Sequence, residues 1–206
     1  MDVPDILRTD RVAAVVRAAT VPDPRRVADT LAAGGVRLVE FTFTIPGVCE
    51  VLTAAGGGSA VIGAGTVLTA VDAHAAIDAG AQFVVTPAVI PAVAAACHER
   101  GVPVLLGAYT PGEVLEAHRL GSAAVKLFPA STGGPGHLKN MRGPFPQIEF
   151  VPSGGISVAN AAAFLEAGAI AVFAGSDLIS PAMVEGEQYD LIARNAKAFT
   201  AAVARN

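Results

Sequence analysis

Eight short apolar runs recur along the chain, each followed by a stretch in which apolar and polar positions alternate with a helical period. The runs cover residues 12 to 17, 38 to 43, 60 to 67, 83 to 87, 104 to 109, 123 to 129, 150 to 155 and 170 to 178. They are apolar nearly throughout, the pattern of parallel strands covered on both faces. The intervening segments share one theme: VADTLAAGG, AHAAIDAGA, VLEAHRLGS and AAAFLEAGA each carry an Ala-rich helix into a glycine suited to a left-handed helix C-terminus. The repeated βα unit predicts an α/β fold. Eight such units fit a single-domain (β/α)8 TIM barrel with a short N-terminal helix better than an open sheet. No Pro/Ser-rich linker or composition break interrupts the series, so one domain is expected over residues 1 to 206.

Composition narrows the function classes. With 206 residues, 52% hydrophobic and 16% charged, the chain can bury a sizeable core. A net charge of -4 without a basic stripe speaks against a nucleic-acid partner. No run of uncharged apolar residues is long enough to span a bilayer, so no membrane is expected. The N-terminal apolar run, Val12 to Val16, is bounded by arginines and is too short for a signal-peptide core, which makes a cytoplasmic location the expectation. Cys49 and Cys97 lie in helix-like segments without metal-ligand spacing and read as reduced packing residues. His74, His98 and His118 also fall in helix-like segments. His137, in GGPGHLK, is either a residue bordering the mouth or an ordinary loop residue. No metal site is expected among them.

In a barrel the C-terminal ends of all strands meet at one mouth, where active sites are built. The candidate residues are then Arg17; Glu40, Thr42 and Thr44; Thr66; Thr86; Tyr109 and Thr110; Lys126; Ser153, Gly154 and Gly155; and Gly175, Ser176 and Asp177. Lys126, in VKLFPA, is the odd one of three lysines, because Lys139 and Lys197 have polar, helix-like surroundings. Desolvation favours a neutral amine, the form that attacks a carbonyl to give a Schiff base. The plain alternative is a lysine reaching solvent from a strand end, or one paired with a carboxylate. Glu40 is the carboxylate in the interior of a predicted strand. It must be paired, hydrated or functional, and beside an imine-forming lysine it could shuttle protons.

Two loops look suited to an anion. In PSGGIS, Gly154 and Gly155 can offer unobstructed N–H groups at a helix expected to begin near Val158. AGSDL supplies Gly175 and Ser176 one unit later, and loops after strands 7 and 8 frequently bind phosphate in this architecture. GAGTV, residues 63 to 67, has small residues through which a backbone can approach a ligand, followed by the Thr66 hydroxyl. Arg17 is either a strand terminator or a carboxylate-binding fork.

VEFTFT with Glu40, IGAGTVL, FVVTPA, VKLFPAS with Lys126, GPFPQIEFVPSGGIS and AGSDL together resemble the class I 2-keto-3-deoxy-6-phosphogluconate/4-hydroxy-2-oxoglutarate aldolase family, in order over almost the whole chain. The resemblance implies a homotrimeric barrel that reversibly cleaves a small 4-hydroxy-2-oxo acid to pyruvate and an aldehyde, glyceraldehyde 3-phosphate for the phosphorylated substrate, with no metal or other cofactor. It implies Lys126 as the Schiff-base lysine and Glu40 as the acid and base acting through a water. Thr66 and Pro87 correspond to positions beside the pyruvate carboxylate; Gly154, Gly155 and Ser176, with Gly175 next to it, correspond to the phosphate site. Thr44 stands where the phosphogluconate enzymes usually carry an arginine, and Arg17 resembles the strand-1 arginine of phosphogalactonate-type relatives. Ala88 replaces a glycine, Leu106 a proline and Ser153 a threonine. The competing reading is a phosphate-binding isomerase or epimerase in which Lys126 is only an electrostatic partner; a third is a catalytically idle binding protein.

Overall fold

Each apolar run becomes a strand because consecutive Val, Ile, Leu and Phe side chains can be buried on both faces of a parallel sheet at once. The computed structural model describes residues 2 to 204. Its strands are β1 (Val12–Val16), β2 (Leu38–Thr42), β3 (Val61–Gly65), β4 (Phe83–Val85), β5 (Val104–Leu105), β6 (Gly107–Ala108), β7 (Val125–Leu127), β8 (Phe150–Pro152) and β9 (Val172–Ala174). All pairings are parallel. The result is a curled parallel sheet within a single-domain α/β fold.

One point differs from the expected eight-stranded barrel: the ladder comes in two pieces. Six strands run in the order β5, β4, β3, β2, β1, β9 and three in the order β6, β7, β8. The fifth expected strand is split at Leu106. Its N–H donates to the Ser122 hydroxyl at 2.8 Å, while its carbonyl accepts the Lys126 N–H at 2.9 Å. At the other seam no ladder joins β8 to β9 among the described residues: the Ile170 N–H donates to the Phe150 carbonyl at 3.0 Å, and Ser153 and Phe173 form an isolated bridge. The strands also end earlier than expected. After β9, for example, the Leu178 and Ile179 N–H groups both turn back to the Gly175 carbonyl at 2.9 Å.

The helices are α1 (Val3–Asp10), α2 (Pro24–Ala33), α3 (Val48–Ala55), α4 (Ala70–Asp78), α5 (Pro91–Glu99), α6 (Pro111–Arg119), α7 (Ala130–Arg142), α8 (Ala161–Glu166), α9 (Pro181–Glu185) and α10 (Tyr189–Val203). Their ends follow local rules. Thr110 and Glu113 form a reciprocal capping box on α6. Gly80 after α4 (φ 97°) and Gly168 after α8 (φ 104°) take the left-handed backbone that ends a helix without a Cβ penalty.

Two cores result. The larger lies between the strands and the outer helices. The smaller fills the inside of the curl with Leu38, Phe83, Val85, Leu105, Val151 and Phe173, and α1 adds Val3, Ile6 and Leu7 to it. The expected short N-terminal helix is therefore a plug. Asp2 caps it, and Arg8 pins it to Glu149 through two contacts of 2.8 Å. Leu7 is fully buried. Leu7→Ala is expected to lower stability by about 3 kcal/mol, read as a fall in the urea midpoint at constant slope.

Candidate active site

Side chains alternate faces along a strand, so a position two residues beyond an inward-facing one also faces inward. Leu38 is followed in this way by Glu40, and Ala124 by Lys126. The two side chains meet inside the curl, with Lys126 Nζ 3.5 Å from Glu40 Oε2. Glu40 is 0% exposed and Lys126 6%. At 3.5 Å the contact is an ion pair at the outer limit of hydrogen bonding, and among the described residues no group donates a well-formed hydrogen bond to either buried carboxylate oxygen. Burial pushes the Glu40 carboxyl above the usual carboxylate range; the charges of Lys126 and Arg17 offset this only in part. An acid so placed is suited to taking up and returning a proton at moderate pH.

Glu40 has a seat. A methyl group at Gly65 would overlap the Glu40 carboxylate, and one at Gly63 would strike the Phe83 ring. Gly63 and Gly65 of GAGTV therefore make room for protein side chains. Thr66, just beyond β3, holds φ at 56°. A β-branched residue there is strained, and such strain persists where the surroundings impose it, commonly at ligand-binding positions.

Lys126 sits between β6 and β8, opposite Gly107 and Val151. Its Nζ lies 5.7 Å from the centre of the Phe128 ring and 5.6 Å from that of Phe173. Neither ring stood out in the sequence as a functional neighbour; the alternation from Lys126 to Phe128 was the available signal. The backbone from Pro87 to Ala88 crosses directly over Gly107, where any Cβ would collide with it. Thr86 stitches this crossing together, its hydroxyl donating to the Ala88 carbonyl at 2.6 Å and accepting the Gly107 N–H at 3.1 Å.

Lys126 opens onto a cavity of about 860 Å³ at the C-terminal ends of the strands. Arg17, Thr66, Pro87, Gly154, Gly155, Gly175 and Ser176 all line it. Glu40 lies behind Lys126 and is not on the cavity wall. Thr44 is outside as well: it is exposed, and its hydroxyl lies 2.7 Å from that of Thr42. The loop after β8 is held by its carbonyls, with Ser131 N–H donating to Gly154 at 2.9 Å and Asn160 Nδ2 to Gly155 at 2.8 Å. The helix expected near Val158 begins only at Ala161. The preceding turn is closed by Asn160 Oδ1 accepting the Ser157 N–H at 2.9 Å, and the Val158 N–H is taken by Asp177 Oδ2 at 3.0 Å.

Ser153 and Asp177 also line this cavity, whereas no histidine or cysteine does. His137 is on α7 rather than in a loop, stacked on Tyr109 with ring centres 4.4 Å apart and its Nε2 2.8 Å from the Tyr109 carbonyl. Cys49 and Cys97 are free thiols. Among the described residues no group of three or more His, Cys, Asp or Glu side chains could hold a metal, and no helix is long and apolar enough to cross a membrane.

Comparison with known proteins agrees with this geometry. The model of the KDPG and KHG aldolase family matches residues 3–195. The 2-dehydro-3-deoxy-phosphogluconate aldolase of Haemophilus influenzae is 32% identical over 191 residues, covering 91% of this chain and 90% of that protein. Among solved structures, the 4-hydroxy-2-oxoglutarate/2-dehydro-3-deoxyphosphogluconate aldolase from TTHB1 superposes with a TM-score of 0.89 at 32% identity, covering 99% of this chain and 100% of that one. The KDPG aldolase of Legionella pneumophila, with pyruvate captured as a covalent carbinolamine, superposes with a TM-score of 0.87 at 28% identity, covering 95% and 97%. The chain belongs to the KDPG and KHG aldolase family, whose curated members here are lyases of the aldolase type.

Proposed function

We propose that the chain is a class I aldolase that reversibly cleaves a 4-hydroxy-2-oxo acid, 2-dehydro-3-deoxy-6-phosphogluconate or a close relative, to pyruvate and an aldehyde such as glyceraldehyde 3-phosphate. The observation that carries this reading is the buried Lys126, on the wall of an open cavity, set against Glu40 3.5 Å behind it. A pair with a purely structural role is poorly explained there, since an apolar pair would be cheaper to bury.

The Lys126 amine attacks C2 of the oxo acid, and the carbinolamine loses water to give a protonated imine. That cation accepts the electron pair as the C3–C4 bond breaks and the aldehyde departs; no metal is required for this, because the imine is itself the electron sink. The enamine left behind takes a proton at C3, and hydrolysis frees pyruvate and the amine. Glu40, behind the cavity wall, takes the proton of the C4 hydroxyl through a water and later returns one to C3 by the same route. Arg17 forms the carboxylate fork, with Thr66 and Pro87 beside it. Thr44, turned to Thr42 outside the cavity, is left without a role in binding. Gly154, Gly155, Gly175 and Ser176 cradle the far end of the substrate. The carbinolamine of pyruvate in the Legionella pneumophila relative supports the covalent step.

The same reading completes the architecture. Leu106, bonded on both sides of its break, and the bridge from Ser153 to Phe173 support a ring of eight strands closed as one aldolase domain over residues 1 to 206. The family resemblance supports a cytoplasmic homotrimer. A screen of 4-hydroxy-2-oxo acids with coupled pyruvate detection tests the function, and pyruvate release from at least one acid is the expected result. If no acid yields pyruvate while a sugar phosphate exchanges a carbon-bound proton, the isomerase reading replaces this one.

A further inference from the structure

Three charged side chains line the cavity: Lys126, Arg17 and Asp177. In the aldolase reading the first takes the carbonyl carbon and the second the carboxylate. Asp177 stands apart from both tasks. It follows Gly175 and Ser176 in the turn after β9, so its carboxylate belongs to the cradle for the far end of the substrate. Its Oδ2 accepts the Val158 N–H at 3.0 Å, which joins the loop after β8 to the turn after β9. The same bond withdraws an N–H that a bound anion could otherwise use. Asp177 is exposed, and among the described residues no Lys or Arg forms an ion pair with it.

We propose that Asp177 is a specificity-determining residue that sets the charge accepted at the outer end of the substrate. It weakens the binding of a terminal phosphate dianion, so that the chain cleaves the unphosphorylated acid at a comparable rate. This rests on the aldolase reading and refines its substrate class. Backbone N–H groups and a serine hydroxyl supply only partial positive charge for a phosphate, and the carboxylate beside them opposes a dianion directly. A terminal hydroxyl suffers no such repulsion and can donate a hydrogen bond to Oδ1.

The decisive variant is Asp177→Asn, whose side-chain oxygen can still accept the Val158 N–H, so that the charge changes while the join between the loops is kept. Pyruvate release gives kcat/KM for 2-dehydro-3-deoxygluconate and for its 6-phosphate. The two wild-type values are expected within about tenfold of each other, and Asp177→Asn is expected to shift their ratio about fivefold to tenfold toward the phosphorylated acid. The shift should shrink at about 0.5 M salt, where exposed charges are screened. Inorganic phosphate should also compete better against the unphosphorylated acid in the variant. An unchanged ratio, or a shift toward the unphosphorylated acid, overturns the role of Asp177 while leaving the aldolase in place. If the wild type releases pyruvate from neither acid and traps no imine, the aldolase reading fails and this inference falls with it.

Discussion

Lys126→Met is expected to lower kcat by about 10^4-fold or more, because the variant has no nucleophile with which to enter the covalent pathway. Borohydride added with pyruvate should leave a mass adduct on the native chain, on the peptide carrying Lys126, and none on the variant. Methionine is the informative replacement. It is close to lysine in length and flexible enough to fill the space between the Phe128 and Phe173 rings, which lie 5.7 and 5.6 Å from Nζ. Glu40, deprived of the cation 3.5 Å away, can remain buried as the neutral acid, since burial already favours its protonated form. The variant should therefore fold, and a preserved thermal transition separates lost chemistry from lost structure. An adduct of equal size on Lys126→Met would place the imine elsewhere and end the proposal.

What could be read from the chain was whatever depends on neighbours in sequence. The strands announced themselves as apolar runs, and α1 and the glycines after α4 and α8 followed from local rules. Lys126 and Glu40 stood out because a charge in an apolar run is expensive, a property visible in a window of a few residues. The rest depends on contacts between segments far apart in the chain. That Gly65 is small to seat Glu40 requires β2 and β3 to be in register, with Thr42 opposite Gly65. The break at Leu106 depends on Ser122, sixteen residues on, offering its hydroxyl. Before the late start of α8, the Val158 amide is taken by Asp177, nineteen residues on, a partner that no local window shows. The position of Thr44 was not legible either: it lies beyond the end of β2, with its hydroxyl beside that of Thr42.

Glu40→Gln is expected to cut kcat by about 10^2- to 10^4-fold while still allowing an imine with pyruvate to be trapped, because it removes proton transfer and leaves the nucleophile. The pH profile carries the distinction. Burial holds the Glu40 carboxyl above the usual carboxylate range, so activity that needs it ionised should be lost as pH falls through that raised value. The acid limb of the wild-type kcat profile should lie above the ordinary range for an exposed glutamate, and Glu40→Gln should lack it. Gly65→Ala tests the same group without touching its chemistry. Its methyl would occupy the space of the carboxylate, which must swing away from Lys126. Gly65 does not use a left-handed backbone, so the strain is one of packing against the buried Glu40 side chain, and a thermal transition separates a displaced carboxylate from a lost fold. Where the transition is preserved, Gly65→Ala should reproduce the loss of kcat, and bulkier residues at this position should be tolerated less well than alanine. If Glu40→Gln kept kcat within about fivefold and an unchanged acid limb, another group would be moving the proton, since a displaced general acid/base must cost far more than that.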